Sequence, residues 1–176
     1  MSTNERVLWA GGHGGFLLLV LAGIAFVSGY WVILLALGPA AYLLVLDAHN
    51  SDNAPRVIVI SYVTALAVGW VAYMAIAQGI APMTVEPMSE PGLRVGGSAL
   101  VTFAVATAIF YMLNIHQPMA YVAAFTTAIG ALPTIQSLVV AVIAVLLIAG
   151  IQTVRRRYGP EFANSPSPTR EHSFRP

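Results

Sequence analysis

The feature that most constrains this chain is a run of 60 residues, 95–154, without one formal charge. Two further charge-free runs precede it, 7–46 and 57–85, of 40 and 29 residues. A helix that crosses the hydrocarbon of a bilayer needs about 20 apolar residues. A soluble domain carries about 25% charged residues, because water must be met by a polar surface. This chain of 176 residues carries 9% charged against 58% hydrophobic residues. The pattern is that of a polytopic membrane protein. A cleaved signal sequence does not explain it, because the first run is too long and the runs recur downstream.

The charges exclude other classes. They comprise eight Lys or Arg, all of them Arg, and seven Asp or Glu, for a net +1. Nucleic-acid binding needs a basic patch, which a balance so close to neutral does not offer. Cysteine is absent, so no disulfide, thiolate metal site or cysteine nucleophile exists. Arg155, Arg156 and Arg157 follow the last apolar run directly. Three arginines at a helix end direct that end to the cytoplasm, and Arg6 directs the N-terminus there too. An even number of crossings follows. Residues 1–157 form a single transmembrane domain on this reading. The polar, Pro/Ser-rich residues 158–176 read as a disordered tail.

The middle run predicts one helix over 57–78, with Pro55 ahead of it and Pro82 behind. The outer runs are too long for one helix each. Proline removes an amide donor and clashes with the preceding turn, so prolines mark the expected breaks. Leu37-Gly38-Pro39-Ala40-Ala41-Tyr42 offers one and His116-Gln117-Pro118-Met119-Ala120-Tyr121 the other. They share the letters P-x-A-Y, 79 residues apart. Each follows about 21 apolar residues (16–36 and 95–115) and precedes a long apolar helix (57–78 and 134–154). The matched spacing reads as an internal duplication, with halves 16–80 and 95–154 and a linker 81–94. The expected fold is all-α: four spanning helices plus two short Pro-started segments of the re-entrant kind. The alternative is six crossings, two of them short, with Ser28-Gly29-Tyr30-Trp31 as an interfacial turn.

With those residues in view, the chain resembles the HPP family of integral membrane proteins, named for a His-Pro-Pro motif. Gly38-Pro39-Ala40-Ala41, then Asp47-Ala48-His49-Asn50-Ser51, then Pro55-Arg56 is similar to its first signature. His116-Gln117-Pro118-Met119-Ala120 is similar to its second, with Gln117 in place of the middle proline. Val57 replaces an expected Asn, and Ser61-Tyr62 an expected Gly-His. The resemblance covers about 16–156. It implies a four-helix membrane fold and small-anion transport, nitrite-like by association.

The residues suggest how an anion is held. A helix that begins inside a membrane exposes amide donors and a partial positive charge. Transporters set such half-helix starts around anionic groups. Pro39 and Pro118 would each begin one, with Gly38 beside the first. His116 adds an ionisable group whose ordinary pKa lies near neutrality. Asn114 and Gln117 flank it as hydrogen-bond donors. Tyr42 and Tyr121 occupy the matched positions of the two breaks, and Arg56 would attract anions at the mouth. Asp47, His49 and Asp52 read as a solvated loop rather than a metal site. No acidic pair, H-E-x-x-H or G-x-S-x-G occurs, so no enzyme activity, cofactor or metal is expected. The expected partners are the lipid bilayer, a small inorganic anion and further copies of the chain in a homo-oligomer. The rival expectation is a non-transporting assembly partner or sensor.

Overall fold

A computed structural model describes residues 3–46 and 51–158. Asp47 and His49, and the tail beyond Tyr158, lie outside the described residues. Six α-helices make up the fold, with no strand among the described residues: α1 Thr3–Ser28, α2 Val32–Leu46, α3 Pro55–Ala72, α4 Glu90–Met112, α5 Ala120–Ala128 and α6 Ile135–Tyr158. A π-turn over Tyr73–Ala77 prolongs α3. Four spans are long and apolar enough to cross a membrane: Leu8–Ser28, Pro55–Ala77, Glu90–Met112 and Ile135–Arg157.

The surface supports the same reading. Leu19, Phe26, Leu100, Phe103 and Tyr111 point outward. Ser98, Thr102, Ser137 and Gln152 are buried. Water would disfavour that distribution, whereas a bilayer accepts apolar groups outside and drives polar ones inward.

The helix ends follow from local chemistry. Gly29 takes φ 78° and its amide donates to the Ala25 carbonyl at 2.8 Å, ending α1. Asn114 takes φ 52°; its amide donates to Tyr111 O, and that of Ile115 to Phe110 O at 2.9 Å. This is a Schellman stop with Asn in the left-handed position. Gly130 repeats it after α5, with φ 82° and Ala131 N donating to Thr126 O. Ser89 caps α4 by accepting from Gly92 N at 3.2 Å. The 81–94 linker is thus shorter than expected, since α4 already starts at Glu90 and Arg94 lies within it.

The first break is a correction. It falls at Gly29–Tyr30, the site weighed only for the six-crossing alternative, and not at Gly38-Pro39. Pro39 lies inside α2, which runs through it unbroken. The two short helices are about 22 Å and about 14 Å long at 1.5 Å per residue, less than the ~30 Å of hydrocarbon. Each nevertheless links opposite ends of the bundle. Helix α2 leaves the far end of α1 and finishes beside α1's beginning, where Val45 packs at Gly14. Helix α5 begins beside the start of α3 and ends at Gly130, against Tyr73 and Ile80 beyond the end of α3.

Helix α5 is the inner element. Ala120, Ala123, Ala124 and Ala128 are fully buried. Small residues let backbones approach in a membrane, where packing rather than the hydrophobic effect drives association. At Gly69 of α3 any Cβ would collide with Thr127 Oγ1 and the Ala124 carbonyl. Ser98 of α4 holds the same helix by donating to Ala128 O at 2.8 Å.

Candidate functional site

The second motif sits where the chain leaves α4 and enters α5. The Schellman stop at Asn114 turns the chain, and Gln117 then points inward. Its Nε2 donates to Asn53 Oδ1 at 2.9 Å and to the Asp52 carbonyl. Gln117 and Asn53 are buried, at 5% and 6% exposure. Asn53 closes a 3₁₀ turn, Ser51–Asn53, directly before Pro55 opens α3. The beginnings of α3 and α5 are thereby tied together. Here the fold unites the two segments that carry the family-like letters.

The electrostatics of the two starts differ. Helix α3 has proline at its first position and no side-chain cap at Ala54, which leaves its first amides free of a capping side chain. Arg56 is exposed on its first turn. In α5 the first amides are already used: Ala120 N donates to Gln117 O, Tyr121 N to Pro118 O and Val122 N to Met119 O, at 3.1 to 3.3 Å. His116 and Pro118 are exposed. Arg56 and His116 therefore flank the Gln117–Asn53 tie on its outer side. The tie itself encloses only about 10 Å³, lined by residues that include Ala40, Asn53, Tyr62 and Gln117. That is room for about one water molecule.

Other expected site residues are placed elsewhere. Pro39 begins no helix, so the expected pairing of half-helix starts at Pro39 and Pro118 is not formed; the Pro118 segment is tied instead to the start of the long helix α3. The physical reason is the stop. Gly38 and Pro39 supply no left-handed residue to satisfy the preceding carbonyls, and the helix continues. Gly38 and Tyr42 line a groove of about 440 Å³ between α1 and α2, together with Gly11, Gly14 and Gly15. Tyr42 is 65% exposed there. Tyr121 instead donates to Thr107 Oγ1 of α4 at 2.9 Å and packs edge-on against Phe110. The two tyrosines do not share a site. Asn114 acts as a helix terminator and is exposed.

Two functional placements escaped the sequence reading. Asn53 lies in a polar loop beside the expected Asp52, and only the tertiary pairing with Gln117 singles it out. Arg155 read as one of three topogenic arginines. In the structure it is 5% exposed and donates to the Leu44 carbonyl and, at 2.9 Å, to Val45 O. It thus satisfies the last carbonyls of α2, where the helix dipole favours a cation. The Trp9 ring stacks over it at 4.5 Å. This contact sets the beginning of α1 and the end of α6 side by side. No family model, curated protein or solved structure matches this chain.

Proposed function

We propose that this chain is a membrane transporter or channel for a small inorganic anion, which enters at the joined beginnings of α3 and α5. The observation that carries the reading is the Gln117–Asn53 bond. It sets an uncapped helix start and Arg56 beside the His116 segment, in a protein whose helices fit a bilayer. A positive mouth raises the local concentration of anions. The resemblance to the HPP family and its association with nitrite support the substrate class. Arg56 attracts the anion, the α3 amides orient it and His116 offers a proton, while Gln117, whose two amide hydrogens are given to Asp52 O and Asn53 Oδ1, holds the two helix starts together. The cavity at the tie is too small for a path through one chain, so the path lies at a contact between copies in a homo-oligomer. All six helices cross, the two short ones with locally thinned or protein-covered ends, and both termini face the cytoplasm beside Arg155–Arg157. The long-short-long order of helices occurs twice and supports an internal duplication.

The test is flux of nitrite, nitrate and chloride into proteoliposomes, against empty vesicles. Selective flux is expected, reduced severalfold in Arg56→Gln and in His116→Ala and unchanged in Tyr42→Phe. No flux of any of the three from folded protein would overturn the reading. The small cavity favours one rival, a non-transporting membrane partner or sensor. Deleting residues 159–176 separates the two, because a transporter keeps its flux and a tail-dependent partner loses its function.

A further inference from the structure

A larger cavity lies away from this mouth. It is an open groove of about 670 Å³ between α1 and α6. Phe16, Leu146, Leu147 and Ile151 form its apolar walls, and Arg155, Trp9 and His13 close one end. The nine steps from Leu146 to Arg155 set its length at about 14 Å of helix.

The closed end is electrostatically unfinished. Arg155 is 95% removed from solvent, and its partners are two carbonyls and the Trp9 ring. No carboxylate pairs with it among the described residues, and its Nε finds no acceptor. His13 stacks flat on Trp9, with centroids 5.2 Å apart, and its Nε2 is likewise buried without a partner. A buried charge without a counter-charge is costly, as is a buried donor without an acceptor. A group with negative charge and several acceptor oxygens answers both needs at once. The walls require that the same molecule carry an apolar chain, and the groove opens toward the surface that the bilayer covers.

We infer that the α1–α6 groove binds one anionic phospholipid, its phosphate at Arg155 and His13 and an acyl chain along Phe16, Leu146 and Ile151. Phosphate oxygens accept from Arg155 Nε and from His13 in its Nε2–H tautomer. Both nitrogens are covered, so the Trp9–His13 stack swings outward as the headgroup enters. Arg156 and Arg157, the next two residues of α6, add to the attraction for an anionic headgroup. The bound lipid would glue α1 to α6, which otherwise touch at few places. The inference rests on the membrane character of the fold and is independent of anion transport.

Trp9 reports on the site. With Trp31→Phe and Trp70→Phe it becomes the sole tryptophan of the three in the chain. The protein is reconstituted in phosphatidylcholine vesicles containing phosphatidylglycerol or phosphatidylcholine with brominated tails, and Trp9 quenching is titrated. Phosphatidylglycerol is expected to bind about fivefold tighter, the factor that one basic residue near an anionic lipid supplies. Gly150 lines the groove and a Cβ there meets nothing within 4 Å, so Gly150→Phe fills it without disturbing the fold. That variant should lose the preference while its circular dichroism stays unchanged, and Arg156→Gln should keep most of it. Equal quenching by both lipids, or a preference that survives Gly150→Phe, would overturn the inference. So would a full Trp9 response to inorganic phosphate alone, or a change of oligomeric state in Gly150→Phe, which would assign the groove to a second copy.

Discussion

Pro39 is the eighth residue of a fifteen-residue helix, whereas Pro118 stands two residues ahead of a nine-residue one. The surrounding letters are the same, P-x-A-Y. What differs is the chain just before each proline. Ahead of Pro118, Asn114 in the left-handed region ends α4 and returns two amides to its last carbonyls. Ahead of Pro39 the residues are Leu35, Ala36, Leu37 and Gly38, and none of them leaves the helical region to stop α2. A proline costs a helix one hydrogen bond but does not by itself satisfy four carbonyls. The helix ends only where something else does that. The stop that ends α1 lies ten residues before Pro39, at Gly29.

The surroundings of the two segments differ as well. Residues 117–121 enter the middle of the bundle, where α5 presses on Gly69 and Gln117 reaches Asn53. Residues 38–42 run along α2, where a Cβ added at Gly38 would meet only Leu18, at 3.7 Å, and Tyr42 is exposed. Ala40 and Ala41 of the second segment are buried in the core, so it is anchored on one face, and the contrast lies at Gly38 and Tyr42.

Substitutions can break this contrast. The largest effect should come from Gly69→Ala, because the new methyl would overlap Thr127 and the Ala124 backbone, which cannot yield as a side-chain tip can. A loss of about 3 kcal/mol is expected in reversible unfolding in detergent. The equivalent change in the outer segment, Gly38→Ala, should shift stability by less than about 0.5 kcal/mol, in either direction. Equal losses would show that α2 is as tightly seated as α5. Next, Gln117→Ala removes two buried hydrogen bonds and should cost about 2 kcal/mol. His116→Ala, one residue away but exposed, should cost under about 0.5 kcal/mol while lowering flux. That pair separates the tie from the mouth, and a large stability loss at His116 would merge them. A third contrast, smaller than those at Gly69 and Gln117, concerns the prolines themselves. Pro39→Ala restores an amide donor inside α2 and should stabilise by about 1 kcal/mol or more. Pro118→Ala should be close to neutral, since the residue lies outside α5. A penalty at Pro39 would mean that α2 needs a kink there for packing or passage.

Much of the fold was legible in single residues. The charge-free runs located three of the four long apolar helices within a few residues, whereas the first, expected over 16–36, is α1 at Thr3–Ser28. The start of α4 was placed late, because Glu90 and Arg94 read as linker; the Ser89 cap, with proline at the first turn, was the overlooked signal. The site was legible only in its second half. Gln117 and Pro118 were chosen for a motif, and the structure places both at the start of α5. Gly38, Pro39 and Tyr42 were paired with them through three shared letters, and letters carry no information on which face a helix turns inward.

The sequence by itself determined that this chain carries helices long and apolar enough to cross a membrane, and where three of the four lie, because both properties depend on a local sum of apolar length and missing charge. The tertiary structure alone decided which polar groups meet. Gln117 finds Asn53 from 64 residues away, and Arg155 reaches the end of α2 from 110 or more. Such contacts depend on which helices pack together, and in a bilayer that choice falls to close approach at small residues such as Gly69 and the α5 alanines rather than to any pattern along the chain.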